Sequence, residues 1–429
     1  MRVHLNYGKG QLPLELPDDL EVEVIRKKAM PLAADPAAAV AAALARPVGA
    51  APLTEAAKGA KTACILICDI TRPVPNGLFL GPLIRQLLEA GLKGEDITVL
   101  VATGLHRPNE GEELAEIVGD PWVLQTVQVA NHFARDTEMH VDLGATQTRG
   151  TRVLLDRRFV EADIRIATGL VEPHFMAGYS GGRKVIAPGI AGKETITTFH
   201  SARFMEHPRA TSCVLDGNPL HEEQLEIVKM LGGALALNTV IDEERRLCFV
   251  NFGEVLESHY EAVDFIRDYA EIPVSERFET IVTSAAGYPL DKTYYQTVKG
   301  MVGPIDILAE GGDLIIASAC SEGMGSIEFV EAQRRLIDLG PDGFLEEISA
   351  KSHADIDEWQ TEMQLKPMRV GTIHLYSEGL SPDDRALTGV AAIESLEAAV
   401  QASVARSGTR RLAVIPEGPY VVPRYQPAA

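Results

Sequence analysis

Three short segments place acids, cations and histidines where they suit acid–base work on a small polar substrate. Asp69-Ile70-Thr71-Arg72-Pro73 sets a carboxylate three residues before a guanidinium. Thr103-Gly104-Leu105-His106-Arg107-Pro108 and Gly169-Leu170-Val171-Glu172-Pro173-His174 each put a histidine in a polar turn beside a proline. Imidazole titrates near neutrality, so it takes and returns protons at working pH. A reaction that inverts a stereocentre needs two such groups, one for each face of the substrate. Either histidine alone reads as structural; two at equivalent positions weigh toward function. Gly178-Tyr179-Ser180-Gly181-Gly182-Arg183-Lys184 follows directly. Its glycines permit close backbone approach, and N–H groups in such a loop can cradle an anion. The spacing is neither a Walker loop nor a dinucleotide fingerprint, so a glycine-rich surface turn is an equal reading. His200, in Ile196–Ser201, is ordinary by itself. With no HExxH and no Cys/His cluster, it completes a square-planar metal site only if something else supplies the other ligands. Tyr294-Tyr295-Gln296-Thr297-Val298-Lys299-Gly300 is polar and aromatic; Lys299 also reads as a solvated lysine, and Trp359 as core or pocket wall.

These segments need a scaffold, and the apolar patterning supplies one. Cys64–Asp69, Ile97–Ala102 and Ile164–Ala167 are short continuous apolar runs, with a helical pattern over Gly77–Leu92 between the first two. Such runs separated by helices predict parallel strands covered on both faces. In open parallel sheets, ligands bind at the carboxyl ends of strands, which is where Asp69/Arg72, His106 and His174 fall. The pattern restarts with Thr280–Ser284, Asp313–Ala317, Val370–Leu375 and Arg411–Ile415. The fold class expected is α/β, with two domains, each a mostly parallel sheet flanked by helices, and the active site in the interdomain cleft. The boundary is placed near residue 273, after a helical stretch over Glu254–Ile272: residues 1–272 form a cofactor-binding and catalytic domain, and 273–429 a second α/β domain whose last ~20 residues dock back on the first. The alanine-rich Leu32–Arg46 reads as a helix.

Composition narrows the function classes. A net charge of −21 and a hydrophobic share of 46% describe a globular chain without the basic face a nucleic-acid partner demands. The same charge gives no steering of anionic substrates, so an anion site must be built from a few local cations. The five cysteines fit a reduced chain with buried thiols; Cys64 and Cys68 as a Cys-x3-Cys metal pair is the minor alternative. Met1–Leu14 lacks a signal-peptide apolar run, and no stretch approaches a membrane span, so a cytoplasmic protein is expected.

DITRP, GLHRP, EPHFMAGYSGGRK, PGIAG…FH and YYQTVKG, in that order and over nearly the whole chain, resemble the nickel-pincer lactate racemase family. The resemblance implies a pyridinium mononucleotide bearing a thioamide and a thiocarboxylate, joined through the thioamide to Lys184, with Ser180, Gly181 and Gly182 around it. It implies nickel held by two sulfurs and a ring carbon, with His200 in the fourth position. His106 and His174 match the general acid/base pair. Arg72 matches the residue gripping the substrate carboxylate, with Asp69 as its partner, while Tyr295, Gln296, Lys299 and Trp359 match residues that meet the substrate. The implied partners are a 2-hydroxy acid and dedicated cofactor-maturation enzymes. The implied reaction moves the α-hydrogen as hydride, through a flat 2-oxo acid, and so avoids a carbanion beside a carboxylate. Leu105, Phe175 and Met176 are candidate walls for a small apolar substrate side chain; Arg107, Arg183 and Arg203 are candidate cations for a second carboxylate, as in malate. Two other classes stand beside this one. A nicotinamide-dependent oxidoreductase lacks the GxGxxG after the first strand, and a non-catalytic nickel- or ligand-binding protein leaves the paired histidines without a role.

Overall fold

The computed structural model describes residues 1–427, which form two compact units. One comprises residues 29–199 and 214–267; the other comprises 1–28, 200–213 and the described residues from 268 on. The second boundary falls five residues before the expected 273, but the first 28 residues and a 14-residue internal segment cluster with the C-terminal unit, not the N-terminal one. The physical reasons are local. Glu21–Val24 (EVEV) pairs in parallel with Arg411–Ile415, completing a sheet edge. Ala202, at the start of a short helix over Ala202–Met205, packs with Leu336, Phe344, Ile348 and Leu365 of two C-terminal helices.

The first unit holds a six-stranded sheet in the order Leu247–Glu254, Leu235–Ile241, Ile164–Leu170, Ala63–Cys68, Ile97–Ala102, Gln128–Asn131. All neighbours are parallel except the Leu247–Glu254 edge. The central strands are largely apolar, Ala63–Cys68 at every position, because both faces are covered. The Asn76–Glu89 helix lays Phe79, Leu80, Leu83, Ile84 and Leu87 into a core with Ile65, Ile67, Val99 and Val101, all essentially inaccessible. Strand order reverses between Ala63–Cys68 and Ile164–Leu170, a topological switch point of the kind that opens a ligand crevice.

The second unit repeats the plan with an all-parallel sheet ordered Ala391–Ile393, Thr372–Tyr376, Leu308–Ala317, Phe278–Ser284, Arg411–Ile415, Glu21–Val24. Its switch point lies between Phe278–Ser284 and Arg411–Ile415. Val422–Tyr425, in the C-terminal stretch, pairs in parallel with Glu271–Val274 inside its own unit. Among the described residues no helix is long and apolar enough to cross a membrane, and the five cysteines are free thiols.

Candidate active site

At the switch point of the first unit, three strand ends deliver the expected residues. Asp69 follows Ala63–Cys68, His106 follows Ile97–Ala102, and Glu172 and His174 follow Ile164–Leu170. Asp69 is buried, and its carboxylate lies 2.6 Å from Nδ1 of His106 while also accepting from the Thr71 hydroxyl at 2.5 Å. Burial alone would push the Asp69 carboxyl up. Hydrogen bonds from His106 and Thr71, with the charge of Arg72, outweigh it and hold the group below its ordinary range. Asp69 is hydrogen-bonded to His106 and also feels the charge of Arg72, which reaches Glu172 at 3.5 Å. An Asp that accepts from Nδ1 fixes the imidazole tautomer and leaves Nε2 as a base. The His106 side chain is 55% exposed, so that nitrogen is reachable.

His174 is buried in a two-residue pairing of Pro173–His174 with Gly178–Tyr179. The Met176 and Ala177 N–H groups approach its Nδ1 at 3.4 and 3.3 Å, which leaves Nε2 as the nitrogen bearing the proton in the neutral ring. Phe175 lies 5.2 Å away, ring to ring, and Phe175 and Met176 are both buried.

The glycine loop is tied to the sheet by Ser180, whose hydroxyl donates to the Leu170 carbonyl at 2.7 Å and accepts from the Glu172 N–H at 3.1 Å. Gly181 (φ +75°) and Gly182 (φ +48°) need to be glycines for packing: a Cβ would fall 2.7 Å from Val171 and 2.8 Å from the His259 ring. Their conformations and the Ser180 hydroxyl are thus accounted for by the chain itself. The loop presents Lys184, half-buried and with no hydrogen bond or ion pair among the described residues. Burial, then the charges of Arg72 and Arg183, bring its amine down to about 7. Arg183, expected as a candidate substrate cation, is fully buried and bonded to His221 and to backbone carbonyls, so it is not one. Arg107 is bound at 2.7 Å by both nitrogens to Glu113, and Arg203 lies over the Phe204 ring at 4.9 Å.

In the second unit, the Tyr294–Val302 helix begins at Thr293, whose hydroxyl caps the Gln296 N–H. Tyr295, Gln296 and Lys299 lie one turn apart on one face, while Tyr294, Thr297, Val298 and Met301 are buried on the other. The Gln296 side-chain oxygen is buried without a partner, the kind of orphan a ligand donor would satisfy. Trp359, on the Glu358–Val370 helix, donates from Nε1 to the Tyr295 hydroxyl at 3.3 Å, and its ring centroid is 4.8 Å from that of His200. Trp359 and His200 are both buried.

Sequence reasoning missed four residues that hold these groups: Glu172, His221, His259, and Gln360, which donates to the Tyr295 carbonyl. Glu172 stood inside the EPH motif and was legible; the others lie far away in sequence, and only the fold brings them in.

Taken by itself, the first unit offers the Lys184 amine, unpartnered among the described residues and brought down to about 7, and the second unit offers the His200 imidazole. No three His, Cys, Asp or Glu side chains come together as a metal cage among the described residues.

Comparison with known proteins agrees in both halves. A family model for the lactate racemase N-terminal domain matches residues 7–213, and one for the C-terminal domain matches 274–422. The lactate racemase of Thermoanaerobacterium thermosaccharolyticum is 32% identical over 365 residues, 84% of either chain. That of Lactiplantibacillus plantarum is 29% identical over 375 residues, 87% of either chain. The solved lactate racemase apoprotein from T. thermosaccharolyticum superposes with a TM-score of 0.91 at 28% identity, over 99% of this chain and 100% of that one. A Thermotoga maritima protein at 18% identity and a TM-score of 0.65, over 87% of this chain and 98% of that one, shares the fold. With both domain models matched and a 32%-identical relative spanning most of its length, the chain belongs to the lactate racemase family.

Proposed function

We propose that this protein is a racemase of a small 2-hydroxy acid, with lactate as the first candidate, working with a nickel-pincer nucleotide attached to Lys184 and ligated through His200. The observation that carries the proposal is the Asp69–His106 pair at a strand end, with Nε2 open, together with a second histidine, His174, at the neighbouring strand end. When bound, the pincer nucleotide supplies a hydride acceptor that spares the substrate a carbanion.

The residues of the chain do the rest. His106 Nε2 takes the hydroxyl proton of one enantiomer, while Asp69 stabilises the imidazolium that forms. His174 serves the opposite face, so each histidine is base in one direction and acid in the other. Arg72 holds the carboxylate, and its fork fixes orientation. Tyr295, Gln296, Lys299 and Trp359 are assigned to the substrate as well. Phe175 and Met176 beside His174 offer an apolar wall, and the burial of Arg183 removes one candidate cation for a second carboxylate; both favour lactate over malate. Polarimetry on enantiopure lactate and malate, with the cofactor-matured protein, tests this. Loss of optical rotation with lactate is expected; a matured protein that racemises neither acid sinks the proposal.

A further inference from the structure

We propose that Asn218 is a positioning residue for His174: it holds the peptide unit that fixes which ring nitrogen of His174 carries the proton. This rests on His174 being an acid–base group of the proposed racemisation.

Asn218 precedes the helix over Pro219–Leu231 and is fully buried. Its side-chain oxygen accepts from the Leu220 N–H at 3.0 Å and so caps that helix. Its side-chain nitrogen donates to the Val214 carbonyl at 2.9 Å and to the Met176 carbonyl at 3.0 Å. A donor on one side and two carbonyls on the other leave a single orientation for the amide. The cap and the Val214 bond keep residues 214–218 in place, which is a structural task. The Met176 bond reaches further. The Met176 carbonyl and the Ala177 N–H belong to one planar trans peptide and point in opposite directions. On the far side of that peptide the Ala177 N–H approaches His174 Nδ1 at 3.3 Å, joined by the Met176 N–H at 3.4 Å. Donation to an amide oxygen polarises the N–H of the same amide, so the two bonds support each other. The next peptide is held as well, since Arg183 Nη2 donates to the Ala177 carbonyl at 3.0 Å. Gly178 (φ +77°) lets the turn press against this support; a Cβ there would collide with the Val214 carbonyl oxygen.

The consequence is chemical. A ring nitrogen that accepts from backbone N–H groups carries no proton of its own, so in the neutral ring Nε2 carries it. The ring cannot turn over without losing both contacts. His106 is set the opposite way: it donates from Nδ1 to Asp69 at 2.6 Å, and its Nε2 is the bare nitrogen. The two histidines therefore start from opposite tautomers. One is set to accept a substrate proton, the other to donate to a substrate oxygen. A carboxylate sets the first ring; a backbone amide, held by Asn218, sets the second.

The test is nitrogen NMR of the full, unmatured chain carrying isotope-labelled histidine, at about pH 8, where an ordinary imidazole is neutral. The His174 signals are identified by their loss in His174→Gln. In the natural protein His174 shows a protonated Nε2 and a hydrogen-bonded, unprotonated Nδ1. Asn218→Asp keeps an oxygen to cap Leu220 at the helix N-terminus, which favours its charged form, and sets a second oxygen against the two carbonyls in place of the donor. Asn218→Ser keeps a capping hydroxyl and removes the donor, so the question stays answerable if Asn218→Asp does not fold. Either change moves the Nδ1 signal toward that of an unbonded nitrogen and lets the Nδ1–H form appear, while the His106 signals, set by Asp69, stay in place. Racemisation by the matured variants falls about ten-fold, short of the hundred-fold or more for loss of an acid–base group. Unmoved His174 signals in a folded variant overturn the proposal, as does a natural protein with the proton on Nδ1, or an equal displacement of the His106 signals. If the His174 signals move but the matured variants racemise at the natural rate, the hold of Asn218 on the ring stands and the acid–base assignment of His174 falls.

Discussion

Two histidine–aspartate pairs flank the same strand, Ile97–Ala102, and they have opposite fates. His132 sets Nδ1 3.0 Å from Asp156 and Nε2 3.0 Å from the Ala191 carbonyl, with both side chains fully buried. Asp156 is bound again by Arg158 at 2.6 Å, so nothing in that pair is left to react. His106 makes the same bond to Asp69 at 2.6 Å, yet its ring stands at a strand end, more than half exposed, with no partner on Nε2 among the described residues. One chemical pair is thus a brace when both nitrogens are used and a base when one is open. Residue types do not distinguish the two; the position relative to the sheet does.

The largest effect that sharpens this contrast is His106→Ala. Racemisation should fall by about a thousand-fold, within the range for general acid–base groups, while the melting temperature stays close to that of the parent. A loss below ten-fold would remove His106 from the mechanism. Asp69→Asn should cost less, about ten- to a hundred-fold, because the imidazole remains but its tautomer and charge support are lost. Activity equal to the parent across pH would show that the Asp69–His106 bond is structural.

The brace should respond in the reverse sense. Asp156→Asn is expected to cost about 3 kcal/mol in chemical denaturation, as for a broken buried ion pair, without lowering racemisation in the folded protein. Burial would raise the Asp156 carboxyl, but Arg158 and His132 outweigh it and bring it to about 2, against 3.8 unfolded. Its contribution of about 2 kcal/mol is complete above about pH 4 and is lost as pH falls through 2. Parent and Asp156→Asn stabilities should therefore converge in acid; a constant gap down to that pH contradicts the assignment. The smallest effect is reserved for Arg107→Ala. Its exposed pair with Glu113 should be worth under about 1 kcal/mol, with lactate turnover nearly unchanged. A selective loss of malate turnover would instead make Arg107 the cation for a second carboxylate.

Much of the scaffold was legible because parallel strands covered on both faces are largely apolar. Ile97–Ala102 and Arg411–Ile415 match the expected bounds, and Cys64–Asp69 is displaced by one residue. What escaped is what long-range pairing decides. Glu21–Val24 alternates charge and valine and carries no buried-strand signal; it becomes a strand only because Arg411–Ile415 offers an edge. Nothing in the residue types after His200 marks a change of unit, yet Ala202 packs against C-terminal helices. The site's strand-end histidines could be found from spacing, whereas the bond of Asp69 to His106, and the sealing of Arg183, depend on side-chain directions that no linear motif encodes.

Intact-mass spectrometry of cofactor-matured protein addresses the central claim most directly. The parent chain should carry a covalent adduct of nucleotide size, and Lys184→Ala should carry none and racemise nothing. An adduct that survives Lys184→Ala, or a racemically active protein whose mass matches the bare chain, would contradict it.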